Sequence, residues 1–452
     1  MGMTRLRRIA LIWILLCGGI SIFWGLSIGC AMPAGVFDFK GPYYFARCLL
    51  QHRDPYKVGE PLLVYQADGG DHLQLPYPLQ PVLSLNMYLP TAYIVTVPFA
   101  LLPWGLAHLL WRIFAAGSLI VAAFLMLKSV RTDALGISLV LICFVLANCE
   151  IIFATGAISG IVVGLCIIAA WCFLEERFVL IGILCMAVGL AIKPHDCGLV
   201  WLFFLLAGGA YRKRALQTLA LTIALGLPAV LWVSQVSPHW VQELHSNVST
   251  ASALNGNCDP GPTNPFFGSG PEMVIDLQST ISAFRNDPRF FNPISYLVCG
   301  ALLLVWSVRT LRLRFSLRSA WLALAAVVPL TMLVSYHRPY DAKLLLLTVP
   351  ACAMLWAEGG LIRWLALLFN AGAIVFTADI PLIILNIFTK NLMLSKTGLA
   401  WSLLHGVLLR PTPLILLAMG VFYLGMYMWP DTGQILKAAS GEPNNTLAVT
   451  SI

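Results

Sequence analysis

The run Val36-Phe37-Asp38-Phe39-Lys40-Gly41-Pro42-Tyr43-Tyr44 puts the first acidic residue of the chain directly behind a long apolar stretch, residues 9–32. Asp38 falls where a helix leaves a membrane, between aromatic neighbours. A carboxylate there is partly desolvated, close to anything that arrives through lipid, and suited to accept a proton. The plainer alternative is a solvated aspartate in the first loop.

Two more clusters carry chemistry. In Lys193-Pro194-His195-Asp196 a lysine at a helix end sits at headgroup depth. There it either binds a phosphate, strongly in low dielectric, or reaches to the interface as an anchor. Ser335-Tyr336-His337-Arg338-Pro339-Tyr340-Asp341 packs His, Arg, Tyr and Asp into one turn. His337 or Arg338 can neutralise a departing phosphate and the tyrosines can stack on sugar rings; the alternative is a polar loop closed by an Arg338–Asp341 pair. Asp276-Leu277-Gln278-Ser279 offers groups for hydroxyls, and Tyr43, Tyr44, Arg47 and Arg53 suit either a membrane-edge role or a sugar platform. His108 and Arg112 suit a membrane-edge anchor. Trp104, Trp111, Trp240 and Trp401 suit an aromatic belt first and a sugar platform second.

The elements that must position these residues are set by composition. Of 452 residues, 59% are hydrophobic and 11% charged, against about 25% charged in soluble domains. Span-length apolar runs recur throughout, so the expectation is all-α: a polytopic transmembrane helix bundle of about twelve spans in one integral-membrane domain. The net charge of +8 reflects basic inner loops rather than nucleic-acid binding. Arg5, Arg7 and Arg8 place the N-terminus inside, ahead of an uncleaved signal anchor. Spans are expected at 109–127, 135–153, 158–174, 178–192, 199–210, 216–236, 293–308, 320–334, 344–356, 361–385 and 412–428. A Pro-broken segment, 84–102, is expected to lie in the interface. Two long polar loops, 33–81 and 237–292, fall on the outer face with Asp38, Lys193 and the Tyr336 corner, between a first half (1–236) and a C-terminal set of helices (293–452). The twelve Cys show no metal spacing. Cys48 and Cys258, one in each loop, can pair if the loops face an oxidising compartment. The sequons at Asn247 and Asn444 carry no information without a secretory context.

The chain resembles the GT-C class of integral-membrane glycosyltransferases, and within it glycosyltransferase family 87, the polyprenol-phosphate-mannose-dependent mannosyltransferase-like proteins. The resemblance rests on Asp38-Phe39 with Tyr43-Tyr44 and Asp54-Pro55-Tyr56; on Tyr77-Pro78 before the Pro-broken stretch; on Ala107 to Trp111; on Gly156 to Ser159; on Gly189 with Lys193-Pro194; and on Tyr336-His337 with Asp341. Ala157 stands where relatives often have Gln, and Leu79 where a second Pro is common.

The resemblance implies transfer of a sugar, mannose or another hexose, from a polyprenyl phosphate to a hydroxyl of a glycan or glycolipid acceptor. The transfer would invert the anomeric centre and take place at the outer face of the plasma (inner) membrane, in assembly of the cell envelope. Asp38 would be the general base. Lys193, His195, His337 and Arg338 would face the donor phosphate, and Tyr43, Tyr44, Tyr336, Asp341 and Gln278 the sugar or acceptor. A monophosphate leaving group held by side-chain cations needs no metal or other cofactor. Two other classes stand beside this one. A transporter or flippase should show repeats with Gly or Pro breaks at the midplane, and none is evident. An outer-face polysaccharide ligase or polymerase shares the long loops.

Overall fold

The structure is a computed structural model and describes residues 2–32, 35–70, 79–261, 264, 274–313, 315–378 and 411–429. Among these, all regular structure is helical. Eight helices are long and apolar enough to cross a membrane, and five shorter apolar ones lie between them. Apolar side chains cover the exterior of the outermost helices, as at Phe23 and Trp24 on α1 (Gly2–Ala31) and Leu227 and Leu231 on α12 (Gly209–Val236). That is the surface a lipid solvent requires. Tyr77, Pro78, Arg314, Asp379, Pro381, Lys390, Lys396, Trp401, His405 and Asn444 lie outside the described residues.

The segment expected to be the first polar loop is helical. It forms α2 (Phe37–Leu50), α3 (Glu60–Ala67) and, from residue 79, α4 (Leu79–Ser84). Asp38 occupies the first turn of α2, where a carboxylate suits the helix dipole. Pro42, one turn on, has no N–H to give to the Asp38 carbonyl. The Pro-broken stretch ends in α5 (Tyr93–Ala100), which packs between α2 and later helices.

Downstream, α6 (Trp104–Lys128) starts five residues earlier than the apolar pattern suggests. The expected span 135–153 breaks into α7 (Leu135–Ala147) and α8 (Glu150–Thr155). At the break the Asn148 amide donates to the Phe144 carbonyl (2.7 Å), a side-chain bond that competes with the helical ladder. Next come α9 (Ser159–Leu174), α10 (Val179–Ile192), α11 (Pro194–Ala207) and α12.

The second expected loop is also partly helical, with α13 (Trp240–Ser252) and α14 (Leu277–Ser282). Helix α15 (Pro288–Arg312) begins inside it, because Asp287 caps the Arg289 N–H (2.9 Å) and Pro288 suits the first helical position. Then follow α16 (Leu317–Val334), a 3-10 turn over Pro339–Thr348, α17 (Val349–Glu358), α18 (Gly360–Phe376) and α19 (Pro411–Met428).

The bundle has two chemically different ends. At one, Lys128 lies over the Trp171 ring (5.4 Å), Arg214 donates to the Phe173 carbonyl (2.6 Å), and Arg318 pairs with Glu358 (2.8 Å). At the other end, helices α9, α10, α11 and α16 bring Ser159, Lys193, Asp196 and the Ser335–Asp341 corner together. Sixteen-residue α9 runs from one end to the other, about 24 Å at 1.5 Å per residue.

Cys48 and Cys258 are both free and buried. Cys48 lies in α2 near Glu60 and Arg53, whereas Cys258 lies beside Tyr336 and Arg338. The pairing that loop placement allowed is therefore absent, because the two segments fold against different neighbours. The Asn247 sequon is buried too: its amide donates to the carbonyls of Tyr56 (2.9 Å) and Asn86 (3.2 Å).

Candidate active site

Three breaks between helices build one cavity. The first is at Gly156, which has φ +71° and a carbonyl that accepts a hydrogen bond from the Trp111 indole (3.0 Å). A Cβ here would meet Val36 and Phe39, so only glycine lets the start of α2 settle against this turn. Phe39 stacks on Trp111 (4.4 Å), which fixes the register of α2 and so the direction of Asp38.

The second break is at Lys193. The following proline biases it out of the helical region, and at φ −144°, ψ 78° it separates α10 from α11. Gly189 lets these helices approach, since a Cβ there would come within 2.8 Å of Cys197 Sγ. The third break, after α16, is held by Asp341, whose Oδ2 accepts the Arg338 backbone N–H (2.7 Å). The Ile275 N–H also donates to the His337 carbonyl (3.0 Å), which ties the second long segment to this corner.

Asp38, Ser159, Lys193, Tyr336, Arg338 and Tyr340 line the resulting cavity of about 110 Å³, with Tyr88, Asn257 and Cys258. Asp38 is half-buried, open on its cavity side, and its Oδ2 is enclosed with no hydrogen-bond partner among the described residues. Burial pushes its carboxyl above the usual aspartate range, while Arg338, Thr155 and Lys193 pull the other way. The Arg338 guanidinium lies over the Tyr336 ring (5.7 Å) and its Nε donates to the Tyr336 hydroxyl.

Lys193 is held from three sides: its Nζ lies 2.6 Å from Asp341 Oδ1, 2.8 Å from Ser159 Oγ and 3.1 Å from Asp196 Oδ2. Burial alone would lower its pKa, but Asp196 and Asp341 outweigh that and keep it charged. The alternative of a lysine reaching freely to the interface does not describe this side chain. Nor does Asp341 close an Arg338–Asp341 side-chain pair: it takes the arginine's backbone N–H and gives its other oxygen to Lys193.

The two histidines stand behind the cavity rather than on it. His337 is buried, its Nδ1 2.8 Å from the Ser335 carbonyl and its Nε2 3.2 Å from Asp196 Oδ1. A carbonyl only accepts, so Nδ1 carries a proton. Burial lowers the pKa of this ring, yet the Asp196 carboxylate 3.2 Å from Nε2 raises it overall. His195 is more exposed, with its ring 5.1 Å from that of His337. The ligand atoms of His195, Asp196 and His337 all lie within 4.8 Å of one another, as a metal would need. The Lys193 ammonium already on Asp196 opposes a further cation there. The cluster therefore braces Lys193 through Asp196.

Tyr43 and Tyr44 are on the other side of α2. They line a different cavity with Arg47, Asp68 and residues 101–104, and the Tyr43 hydroxyl donates to the Leu102 carbonyl (2.8 Å). Gln278 is buried away from the cavity, donating to the Val334 carbonyl (3.3 Å). Its neighbour Asp276 caps α14 through the Ser279 N–H (2.9 Å). The Asp-x-x-Ser pattern read as hydroxyl-binding is thus a helix cap.

Tyr88, Ser159 and Asn257 are polar cavity residues to which residue type and spacing alone gave no role. Tyr88 is held by a tertiary contact: Asp54 accepts the Tyr56 N–H (2.9 Å) in the Asp54-Pro55-Tyr56 turn, and the Tyr56 hydroxyl donates to the Tyr88 carbonyl (2.7 Å).

A cavity that sets one desolvated carboxylate against a lysine and an arginine can take a proton from a neutral nucleophile and stabilise an anionic leaving group. A family model described as Glycosyltransferase family 87 matches residues 86–335, which takes in Tyr88, Ser159 and Lys193 but neither Asp38 nor the His337–Asp341 turn. No curated protein and no solved structure matches the chain.

Proposed function

The chain belongs to glycosyltransferase family 87, and from that premise we propose that it moves a hexose from a polyprenyl phosphate to an acceptor hydroxyl, with Asp38 as general base. The acceptor oxygen attacks the anomeric carbon as Asp38 takes its proton. The bond from that carbon to the phosphate oxygen breaks, and the phosphate leaves on the opposite face with inversion. Arg338 and Lys193 face the leaving phosphate, and Tyr336 and Tyr340 flank the sugar. His337, Asp196 and Asp341 hold Lys193 in place. The donor is mannose-bearing or carries another hexose, and the acceptor is a glycan or glycolipid.

The observation that carries this reading is the single cavity on which Asp38, Lys193 and Arg338 meet although they come from distant parts of the chain. Charge-assisted contacts to the departing oxygens are worth most in such an enclosed site. Arg338 supplies positive charge for a monophosphate and Lys193, whose charge Asp196 and Asp341 already balance, supplies a hydrogen-bond donor, and the proposed transfer needs no metal. The far end of the bundle, with Lys128, Arg214 and Arg318, has the character of an inner face. That supports a site on the outer face and a cytoplasmic N-terminus.

The test is Asp38→Asn assayed in EDTA beside the parent protein. The parent should turn over undiminished in EDTA. The variant should lose about 10²- to 10⁴-fold in turnover while still binding the lipid donor. Undiminished turnover in the variant, or parent activity that EDTA abolishes and added metal restores, would overturn the assignment.

A further inference from the structure

The far face of α2 carries a second, more open cavity of about 390 Å³, lined by Tyr43, Tyr44, Arg47, Asp68 and the Leu101–Trp104 corner. Arg47 lies nine residues beyond Asp38, about 13 Å along the helix axis and on its opposite face. Nothing bound here can be the sugar undergoing transfer.

The chemistry of the wall is specific. Arg47 Nη2 lies 3.1 Å from both Asp68 oxygens, and the pair is only about one-third exposed. Arg47 Nε is buried and without a hydrogen-bond partner among the described residues. Trp104 is stacked with Tyr44 (6.3 Å) and with His108 (5.4 Å), and the Tyr43 hydroxyl is tied to the Leu102 carbonyl. The result is a rigid aromatic wall beside a guanidinium–carboxylate fork.

An anionic headgroup meets repulsion from Asp68, which already pairs with Arg47, although Lys40 stands over the Trp104 ring (5.8 Å) beside the wall. A purely apolar chain fits poorly, because it would strip water from the fork without replacing the hydrogen bonds. A neutral ring with apolar C–H faces and several hydroxyls satisfies both parts: the ring lies on the aromatics, and the hydroxyls donate to Asp68 and accept from Arg47.

We propose that this cavity is a second sugar subsite, which holds a neutral, non-reacting hexose unit of the acceptor glycan. The subsite rests on the transfer reading above for its role, but its binding does not depend on turnover. Remote binding of this kind anchors a substrate without touching the chemical step.

The experiment is saturation-transfer NMR on the purified full chain in detergent, with methyl α-D-mannopyranoside, methyl α-D-glucopyranoside and methyl α-D-galactopyranoside as probes. At least one should receive saturation. Its affinity should fall about tenfold in Asp68→Asn, the scale of one lost hydrogen bond to a charged group, and less in Tyr44→Phe, which keeps the ring. Asp38→Asn should leave the signal intact. Unchanged thermal unfolding of Asp68→Asn and Tyr44→Phe separates lost binding from lost fold. With an active acceptor, Asp68→Asn should raise KM and leave kcat alone. The inference is overturned if none of the three hexosides receives saturation, or if the signal survives Asp68→Asn and vanishes in Asp38→Asn. It is equally overturned if phosphatidylglycerol micelles, not hexosides, bind in an Asp68-dependent way. Turnover that survives Asp38→Asn would sink the transfer mechanism and leave this binding result standing.

Discussion

Asp38 pays for its position in stability. Burial raises its carboxyl above the ordinary aspartate value, so the folded state resists the charged form that the proposed role as base requires. A raised folded-state pKa means that stability is fully present below the unfolded value and is lost as pH rises through the folded one. At neutral pH the ionised side chain therefore costs stability, and Asp38→Asn should leave the unfolding midpoint unchanged or higher while turnover collapses. Thermal melts beside assays check both halves. The same shift sets the acid limb of kcat/KM. A base must be deprotonated, so activity should rise with pH through a midpoint above that of an ordinary aspartate, and the limb should disappear from the residual activity of Asp38→Asn. Lys193 behaves in the opposite way. Removing it as Lys193→Met strands Asp196 and Asp341 as buried carboxylates, a loss of about 3–5 kcal/mol. Adding Asp341→Asn should recover part of that stability but none of the activity, measured by denaturation of single and double variants.

At the scale of elements, the site depends on where helices stop. Gly156 is the clearest case: its φ of +71° and its approach to Val36 and Phe39 exclude a side chain. Gly156→Ala should cost about 1–2 kcal/mol from the backbone alone. Because the added Cβ pushes on the start of α2, turnover should fall further than stability does; assays at a temperature where the variant is fully folded separate the two. The sequence made the breaks visible through Lys193-Pro194 and the dense Ser335–Asp341 run, and it made the apolar helices visible through composition. It did not reveal that the two polar stretches fold into helices such as α2 and α13. Their amphipathic faces are short, and Pro42 and the Asp54-Pro55 turn read as loop punctuation. Nor could it tell that Tyr43 and Tyr44 would line a cavity apart from that of Asp38, since that second cavity exists only once α6 supplies Trp104. His195 and His337 looked like phosphate ligands because they neighbour Lys193 and Arg338 in sequence. In three dimensions they turn toward Asp196 instead.

For the whole molecule, the apolar exterior and the unlike ends follow from a lipid solvent, and family membership supplies the reaction class. Which sugar and which acceptor are used depends on small differences in pocket contacts that no fold specifies. The most direct measurement is to supply purified protein, in liposomes, with a panel of polyprenyl-phosphate hexoses and follow release of the free polyprenyl phosphate with and without glycolipid acceptors. At least one hexose donor should be consumed by the parent protein, with inversion at the transferred carbon, and Asp38→Asn and Arg338→Ala should leave the donor intact. Consumption that persists in Asp38→Asn, or a product with retained anomeric configuration, would contradict the proposed transfer.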